Sequence, residues 1–212
     1  MNCETMPSQT RVVGLMLAAG RASRFGADKR RARLTDGRAL LEASLANAAA
    51  AFDELLLVLR DGDTIDDLCL PPQVRVLYTP LAERGLGASL AAGVAALSTH
   101  PAEALAVLLG DMPWVRADTC ARLIAEAGAE HIVQPCHDGR PGHPVLFGRA
   151  FWPALCELDG DEGARGLIRR HADHYRTVPV GDPGILLDVD RPTDLSGRPA
   201  PAVHPTNRPA RS

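Results

Sequence analysis

The sequence predicts an α/β protein with an open, mostly parallel sheet and helices on both faces. Short, strongly apolar runs such as VVGLMLA at 12–18 alternate with longer stretches rich in alanine and leucine, such as RALLEASLANAAAAF at 38–52. The former have the length of strands buried on both faces, and the latter have helical length and composition. Regular alternation of this kind is typical of parallel sheets, and 46% hydrophobic content in 212 residues suffices for one substantial core.

The elements follow in order along the chain. A strand, a helix and a second strand (ELLLVLR, 54–60) form a first βαβ unit, and the same pattern then repeats. The predicted strands cover residues 12–18, 54–60, 74–79, 104–111, 131–135, 143–148 and 175–180. The predicted helices cover residues 38–52, 86–98, 116–128, 150–158 and 162–172. Ligands of such sheets bind beyond the carboxyl ends of the strands, where the loops at 19–29, 79–89 and 110–114 are expected.

One domain is expected over residues 11–196. Residues 1–10 are polar and unpatterned, and residues 197–212 are rich in proline and arginine, so both ends are predicted to be disordered. The net charge of −3 provides no basic field, which argues against nucleic acid or an anionic membrane as the main partner. No apolar run approaches the ~18 residues that a membrane span needs.

The cysteines predict a reducing compartment. Five cysteines are scattered without a CxxC motif, and the odd count indicates free thiols and therefore the cytoplasm. A signal peptide at Arg11 and the following VVGLMLAAG is the alternative. Glu4 before this stretch and the glycine-basic loop after it favour a segment of the fold.

The first loop combines glycines with cations. LAAGRASRFGADK (17–29) places Gly20, Arg21, Arg24 and Lys29 directly after a buried strand. Backbone N–H groups in a glycine loop, with cationic side chains beside them, can hold a polyphosphate. The spacing excludes both Walker A and the dinucleotide fingerprint. A basic surface turn is the alternative.

Carboxylates follow two later apolar segments. Asp111 ends a strongly apolar strand and could bind Mg²⁺, which prefers oxygen ligands, although Pro113 also suits a turn or helix cap. Asp188 and Asp190 lie in a predicted short strand, and we expect only one of them to face the site. Basic residues, a polyphosphate and two carboxylates together predict metal-assisted phosphoryl or nucleotidyl transfer.

Other chemistry-bearing residues have simpler interpretations. The histidine-rich stretches at 136–143 and 171–174 lack a complete tetrahedral zinc set at standard spacing. Ser89 opens a helix without a GxSxG motif, which favours a cap or phosphate contact over acyl transfer. His143 could be a buried structural residue, and the 160–163 loop could cap a helix or bind an acceptor.

Six motifs in collinear order resemble the molybdopterin nucleotidyltransferases, and most closely the molybdenum cofactor cytidylyltransferases. These motifs are LAAGRASRFGADK, GLGASL, LLGDMP, GRPGHPVLF, GDEGAR and LLDVDRPTDL. The resemblance covers residues 12–196 and implies a Rossmann-like nucleotidyltransferase fold. It also implies that CTP and molybdenum cofactor react to give the cytosine dinucleotide form and pyrophosphate.

The resemblance implies roles for particular residues. The nucleotide would be bound by Ala18, Ala19, Gly20, Arg21, Arg24, Lys29, Gly87 and Ser89. The acceptor would be bound by Gly142, His143 and Pro144, and Mg²⁺ by Asp111 and Asp190. Arg24, Lys29 and Asp111 would be catalytic, with Arg24 on the outer phosphates and Lys29 at the α-phosphorus. No general base is implied, because the acceptor phosphate is already an anionic nucleophile.

Two departures and two alternatives remain. Arg191 replaces an expected small hydroxyl residue, and Phe25 replaces a common methionine. A different nucleotide such as GTP, or another phosphorylated acceptor, is the nearest alternative, although AAG at 18–20 and the paired Asp188 and Asp190 resemble the cytidylyl branch. A non-catalytic carrier that delivers the cofactor to a molybdenum hydroxylase is the second alternative. The retained Arg24, Lys29 and Asp111 argue against it, and such a hydroxylase would be a transient partner of the enzyme as well.

Overall fold

The computed structural model describes residues 10–20, 25–26 and 28–196. Its strands are β1 (Val12–Leu17), β2 (Leu55–Arg60), β3 (Val74–Thr79), β4 (Ala104–Leu109), β5 (Ile132–His137), β6 (Arg140–Pro141), β7 (Val145–Gly148) and β8 (Tyr175–Pro179). Its α-helices are α1 (Leu40–Ala49), α2 (Leu86–Ala96), α3 (Ala117–Ala125), α4 (Trp152–Cys156) and α5 (Arg165–Arg170). Short 3-10 turns connect them, including Lys29–Arg31, Pro80–Arg84 and Pro183–Leu186.

The strands form one eight-stranded sheet in the order β3-β2-β1-β4-β7-β5-β6, with β8 beside β5. Strands β1 to β4 run parallel, and β8 runs parallel to β5. Strand β7 lies between β4 and β5 and runs antiparallel to both. The predicted open, mostly parallel sheet is therefore confirmed. The strand order reverses between β1 and β4, which is where open α/β sheets place their ligand crevice.

Helices cover both faces of the sheet. Side chains of β1 alternate between the two cores, since Met16 packs in the cluster that includes Leu41 of α1 and Leu123 of α3. Leu15 packs in the other cluster, with Leu90 of α2 and also residues of α4 and α5. All five of these leucine and methionine side chains are at most 2% exposed. Strands buried on both faces explain why the sequence shows continuous apolar runs here.

The structure departs from the predicted elements in a few places. The helix predicted over 162–172 is shorter, because α5 is followed by a separate 3-10 turn, Ala172–His174. No strand is assigned at 188–190, a described segment that is extended chain outside the sheet. The predicted disordered ends fall almost entirely at residues 1–9 and 197–212, outside the described part. Of the helices that are described, none has both the length and the apolar character needed to cross a bilayer.

Candidate active site

A cleft of about 1070 Å³ opens at the carboxyl ends of β1 and β4. Its lining includes Ala18, Ala19 and Gly20 after β1, and Gly110 with Asp111 after β4. Residues 28–31 and 60–64 form a second wall, and the segment from Ala82 to Ser89 contributes a third. The loops after separate strands thus meet around one cavity, whose size fits a nucleotide-sized ligand.

Lys29 and Asp111 meet at this cleft although 82 positions separate them in the chain. The Lys29 Nζ donates to Asp111 Oδ2 at 2.7 Å and to the Val189 carbonyl at 3.1 Å. The same ammonium lies 3.6 Å from Asp190 Oδ1. The side chains of Lys29 and Asp111 are only 19% and 23% exposed. Three oxygens from two distant segments therefore surround one cation, and both predicted carboxylate segments lie beside the first loop.

Hydrogen bonds to the backbone hold the segment that carries Asp111 in place. The Gly110 N–H donates to the Leu17 carbonyl at 2.9 Å, and the Ser44 hydroxyl donates to the Gly110 carbonyl at 3.0 Å. The Val189 N–H donates to the Asp111 carbonyl at 3.0 Å, which brings the extended 188–190 segment alongside. Among the described residues, nothing donates a hydrogen bond to the buried Asp111 Oδ1. An unpaired oxygen on a buried carboxylate is costly unless a ligand or cation meets it.

Asp194 holds the backbone that carries Asp190. The Asp194 Oδ2 accepts from the N–H groups of Asp190 at 3.1 Å and Arg191 at 2.8 Å. This turn uses the backbone N–H of Arg191 and not its side chain. An arginine in place of the expected small hydroxyl residue therefore leaves the local turn intact. Residues two apart in extended chain point to the same face, so alternation does not separate Asp188 from Asp190, contrary to the expectation. Asp188 is exposed, and Asp190 is the residue of the pair whose carboxylate lies near Lys29.

Next to Lys29, Arg30 is enclosed by two carboxylates that sequence analysis missed. Its guanidinium bonds Asp28 through Nε at 2.8 Å and Nη2 at 2.9 Å, and Asp63 through Nη1 and through Nη2 at 2.9 Å. Burial by itself raises the pKa of Asp63, but the contacts with Arg30 and Arg60 together outweigh it and the pKa falls below the ordinary value. The pKa of Asp28 is lowered in the same way. Asp28 and Asp63 are 35 positions apart in loops, so no local pattern marks them as partners.

The first turn of α2 packs against the 159–161 loop. A Cβ on Gly85, which has φ of 116°, would lie 2.6 Å from the Gly160 backbone, and one on Gly87 would lie 2.8 Å from the Asp159 carbonyl. Gly87 also donates to the Gly160 carbonyl at 2.7 Å. Gly87 therefore packs against this loop and is not among the residues that line the cleft. Ser89 does line the cleft, and its hydroxyl donates to the Gly85 carbonyl at 3.1 Å.

Gly142, His143 and Pro144 lie apart from the lining of this cleft. Gly142 packs against the Ile185 carbonyl, and His143 donates its N–H to that carbonyl at 3.0 Å. The His143 ring and Pro144 instead line a small internal cavity beneath the segment that carries Asp111. Burial lowers the pKa of His143, so its ring is neutral near pH 7. The acceptor role of these three residues stays a prediction.

Two predicted nucleotide contacts, Arg21 and Arg24, lie outside the described residues. Phe25 is described, and it packs against the cluster of Leu34, Leu40 and Val189. That contact agrees with a packing role for the phenylalanine found where the resemblance expects methionine. It also links the first loop to the 188–190 segment.

Comparison with known proteins identifies related sequences and structures. The model of the MobA-like NTP transferase domain matches residues 14–175. The molybdenum cofactor cytidylyltransferase of Escherichia coli strain K12 is 28% identical over 183 residues, or 85% of this chain and 92% of the relative. The purine catabolism protein PucB of Bacillus subtilis strain 168 is 28% identical over 193 residues, or 86% of this chain and 93% of the relative.

Two solved structures extend the comparison. Rv0371c from Mycobacterium tuberculosis H37Rv superposes with a TM-score of 0.73 at 31% identity, covering 88% of this chain and 96% of the other. Its complex with manganese gives a TM-score of 0.65 at 29% identity, covering 87% and 96%. Both likenesses extend over most of this chain.

Proposed function

The chain belongs to the MobA-like NTP transferase family, and from this membership we propose that it transfers CMP from CTP to the terminal phosphate of molybdenum cofactor. The observation that carries the proposal is the Lys29–Asp111 contact of 2.7 Å at the cleft between β1 and β4. A cation next to a metal-competent carboxylate, at the switch point of the sheet, suits a triphosphate substrate.

The carboxylates fit a divalent cation. Asp111 Oδ1 is buried and has no hydrogen-bond donor within the described part of the chain. The Asp190 carboxylate lies near the Lys29 ammonium that also contacts Asp111. Across that same part, no three His, Cys, Asp or Glu side chains form a closed metal-binding group. Substrate oxygens and water would therefore complete the shell, as Mg²⁺ prefers. Bound there, Mg²⁺ would supply positive charge to the triphosphate and orient it.

The proposed reaction needs alignment and charge neutralisation. An oxygen of the acceptor phosphate attacks the α-phosphorus of CTP, the bond from the α-phosphorus to the bridging oxygen breaks, and pyrophosphate leaves with the electron pair. Lys29 neutralises charge that develops around the α-phosphorus, and Arg24 is proposed to bind the outer phosphates. The acceptor phosphate is already anionic, so no side chain needs to remove a proton.

The choice of base and acceptor rests on relatives and motifs. The Escherichia coli relative is named as a molybdenum cofactor cytidylyltransferase, which supports CTP and this acceptor. The manganese complex of Rv0371c supports a divalent metal, for which we propose Mg²⁺. The free thiols of Cys69, Cys120, Cys136 and Cys156 support a cytoplasmic location. A molybdenum hydroxylase is the proposed recipient of the product.

The test incubates the full chain with Mg²⁺, intact molybdenum cofactor and either CTP or GTP, and quantifies pyrophosphate and the dinucleotide. Product with CTP and little with GTP supports the proposal. Product with GTP alone would transfer the assignment to guanylyl transfer. Absence of product with both nucleotides would reject this acceptor and favour another phosphorylated acceptor or a carrier.

Asp111→Asn is the informative variant, with Asp118→Asn as its matched control. Asp118 is an exposed carboxylate paired with Arg116, away from the cleft lining. We expect Asp111→Asn to reduce turnover by at least about a hundredfold, since it removes a charge that acts on the reacting phosphates. Asp118→Asn should retain wild-type turnover. Equal turnover in both variants would remove Asp111 from the site.

A further inference from the structure

Asp63 is anchored to the end of β2. Its N–H donates to the Arg60 carbonyl at 3.1 Å, and its Oδ2 accepts the Arg60 N–H at 3.0 Å, which closes a tight turn around one carboxylate. The Arg60 guanidinium adds a contact to Asp63 Oδ1 at 3.0 Å. The Asp63 side chain is only 5% exposed. It is therefore a fixed, nearly buried negative charge attached to the central sheet.

Arg30 connects this fixed carboxylate to the turn that carries Lys29. Its guanidinium makes four hydrogen bonds, two to Asp63 and two to Asp28, and the side chain is 13% exposed. Asp28 also accepts the Arg30 N–H at 3.2 Å and so caps the 3-10 turn Lys29–Arg31. A planar fork held by two carboxylates has little freedom to rotate. The position of this turn is thereby tied to β2.

Arg31 provides an internal contrast. It bonds Asp67 through Nε at 2.9 Å and Nη2 at 2.7 Å, but the Asp67 side chain is 57% exposed. Exposed pairs of this kind contribute little, because solvent screens the charges and both side chains lose rotational freedom. Arg31 also pairs with Asp28 and donates to the Thr64 carbonyl at 2.7 Å, so the Asp67 contact is one of several that it makes. The exposed Arg31–Asp67 pair on the same turn is therefore a control for the nearly buried Arg30–Asp63 pair.

We propose that Asp63, acting through Arg30, is a positioning residue that holds the Lys29 ammonium at the cleft against Asp111. Residues 29 and 30 are adjacent on a 3-10 turn, and their side chains bond carboxylates that follow two different strands, Asp63 after β2 and Asp111 after β4. Because the two residues are neighbours in one short turn, fixing Arg30 restricts where Lys29 can lie.

The flexibility of the lysine side chain explains why a positioning residue is needed. Its side chain has several rotatable bonds and loses substantial entropy when it is held in one geometry. In the described part of the preceding loop, Phe25 packs against the cluster of Leu34, Leu40 and Val189. If the turn shifted by about 1 Å, the ammonium would lose its place relative to the reacting phosphates, and misplacement on this scale can cost on the order of a hundredfold in rate.

A spectroscopic test reports on Lys29 directly, because it is the only lysine in the sequence. Protein labelled with ¹³C-lysine gives one ε-methylene signal, whose two protons are inequivalent when the ammonium is held and become equivalent when it rotates freely. We expect inequivalent protons in the wild type and in Asp67→Asn. We expect equivalent protons in Asp63→Asn. Equivalent protons in the wild type, or unchanged inequivalence in folded Asp63→Asn, would overturn the proposal.

Folding is controlled separately. Circular dichroism and a urea transition establish whether Asp63→Asn is folded. Should it fail to fold, Arg30→Lys provides the second variant, since it keeps the positive charge but cannot bond two carboxylates bidentately. Lys29 must then be distinguished from the new lysine, and the assignment follows from the signal that disappears in Arg30→Lys combined with Lys29→Met. Retained inequivalence of the Lys29 signal in Arg30→Lys would equally overturn the proposal.

The catalytic consequence rests on the proposed function and is measured by a double-mutant cycle. Asp63→Asn should lower kcat by about tenfold or more, with a smaller change in the KM for CTP, and Asp67→Asn should change kcat by less than about twofold. In the Lys29→Met background, Asp63→Asn should have no further effect on kcat. Equal effects of Asp63→Asn in both backgrounds would show that it acts independently of Lys29. Should the wild type lack transferase activity while the NMR results hold, the proposed function fails and the positioning inference stands.

Discussion

Replacing Lys29 with methionine should strengthen the binding of Mn²⁺ to the free protein. The ammonium lies 2.7 Å from Asp111 and 3.6 Å from Asp190, so it occupies the position that a cation shared by these carboxylates would need. The unpaired Asp111 Oδ1 is open to a cation, but an ion held by both carboxylates also lies beside the ammonium and repels it. A divalent ion shared by Asp111 and Asp190 without nucleotide must therefore displace Lys29, and the methionine variant removes that cost.

The size of the effect follows from the burial of the pair. A fully exposed pair would contribute about 0–1 kcal/mol, whereas about 4 kcal/mol is the Coulomb energy of unit charges 4 Å apart at an effective dielectric constant of 20. With Lys29 and Asp111 19% and 23% exposed, the pair lies between these limits after solvent screening. We expect a net cost of about 1–2 kcal/mol, which corresponds to a roughly tenfold tighter Kd for Mn²⁺ in the variant.

The assay measures free Mn²⁺ by electron paramagnetic resonance during titration of the protein, with and without CTP. In the presence of CTP the change in Mn²⁺ affinity should reverse its sign. The variant then lacks the proposed contact between Lys29 and the phosphates, so it should bind Mn²⁺–CTP more weakly than the wild type. Asp111→Asn is the control and should weaken binding in both conditions. Unchanged or weaker Mn²⁺ binding by Lys29→Met without nucleotide would refute the reasoning that the ammonium and the metal compete.

Three further predictions concern charge geometry, acid stability and the opposite end of the sheet. Lys29→Arg should lower kcat at least about tenfold although the charge is kept, because a planar guanidinium cannot replace a compact ammonium; steady-state kinetics test this, and wild-type kcat would contradict it. Burial raises the pKa of Asp63, but the contacts with Arg30 and Arg60 together lower it by more, so the folded pKa lies below the ordinary 3.8. This carboxylate therefore stabilises the fold above about pH 4 and loses that contribution as the pH falls through its folded pKa, and urea midpoints between pH 5 and pH 3 should fall less in Asp63→Asn than in the wild type. Arg149→Met should lower the free energy of unfolding by about 1–3 kcal/mol without changing kcat, since Arg149 donates to backbone carbonyls and lies 4.2 Å from the Trp152 ring at the amino end of β4. A urea transition measures the free energy of unfolding of Arg149→Met, and a reduced kcat in this variant would contradict the prediction.

The fold could be predicted where burial leaves a continuous mark on the sequence. Strands β1 and β4 are buried on both faces, so their apolar runs are unbroken and their positions are predicted to within a residue or two. The direction of β7 could not be predicted, because a four-residue apolar run carries no information about the neighbours on either side. The 188–190 segment alternates like a strand but pairs with the Asp111 carbonyl only through Val189, so alternation alone did not distinguish a strand from extended chain.

The site could be predicted only in part, for a related reason. Asp111 ends an apolar strand and Lys29 ends a glycine-basic loop, and both signals are local. The Arg30–Asp63 pair joins two charged loops 33 positions apart, and charged residues in loops are ordinarily solvated. Burial is what makes this pair consequential, and burial of a loop residue depends on tertiary packing. The signal that the sequence did offer was the single lysine among 23 lysine and arginine residues.

The surroundings of Lys29 and of its neighbour Arg30 require different cationic groups. At position 29 three oxygens converge on one atom, which suits an ammonium, whereas at position 30 two carboxylates face a planar fork, which suits a guanidinium. Exchanging either residue for the other keeps the net charge and the helical turn, yet removes the geometry each site requires. Lys29→Arg and Arg30→Lys should therefore fail for opposite reasons: the first places a bulky fork at the reacting centre, and the second leaves a correct ammonium on a turn that is no longer fixed. If both variants retained full activity, net charge alone would explain the site and the geometric argument would be wrong.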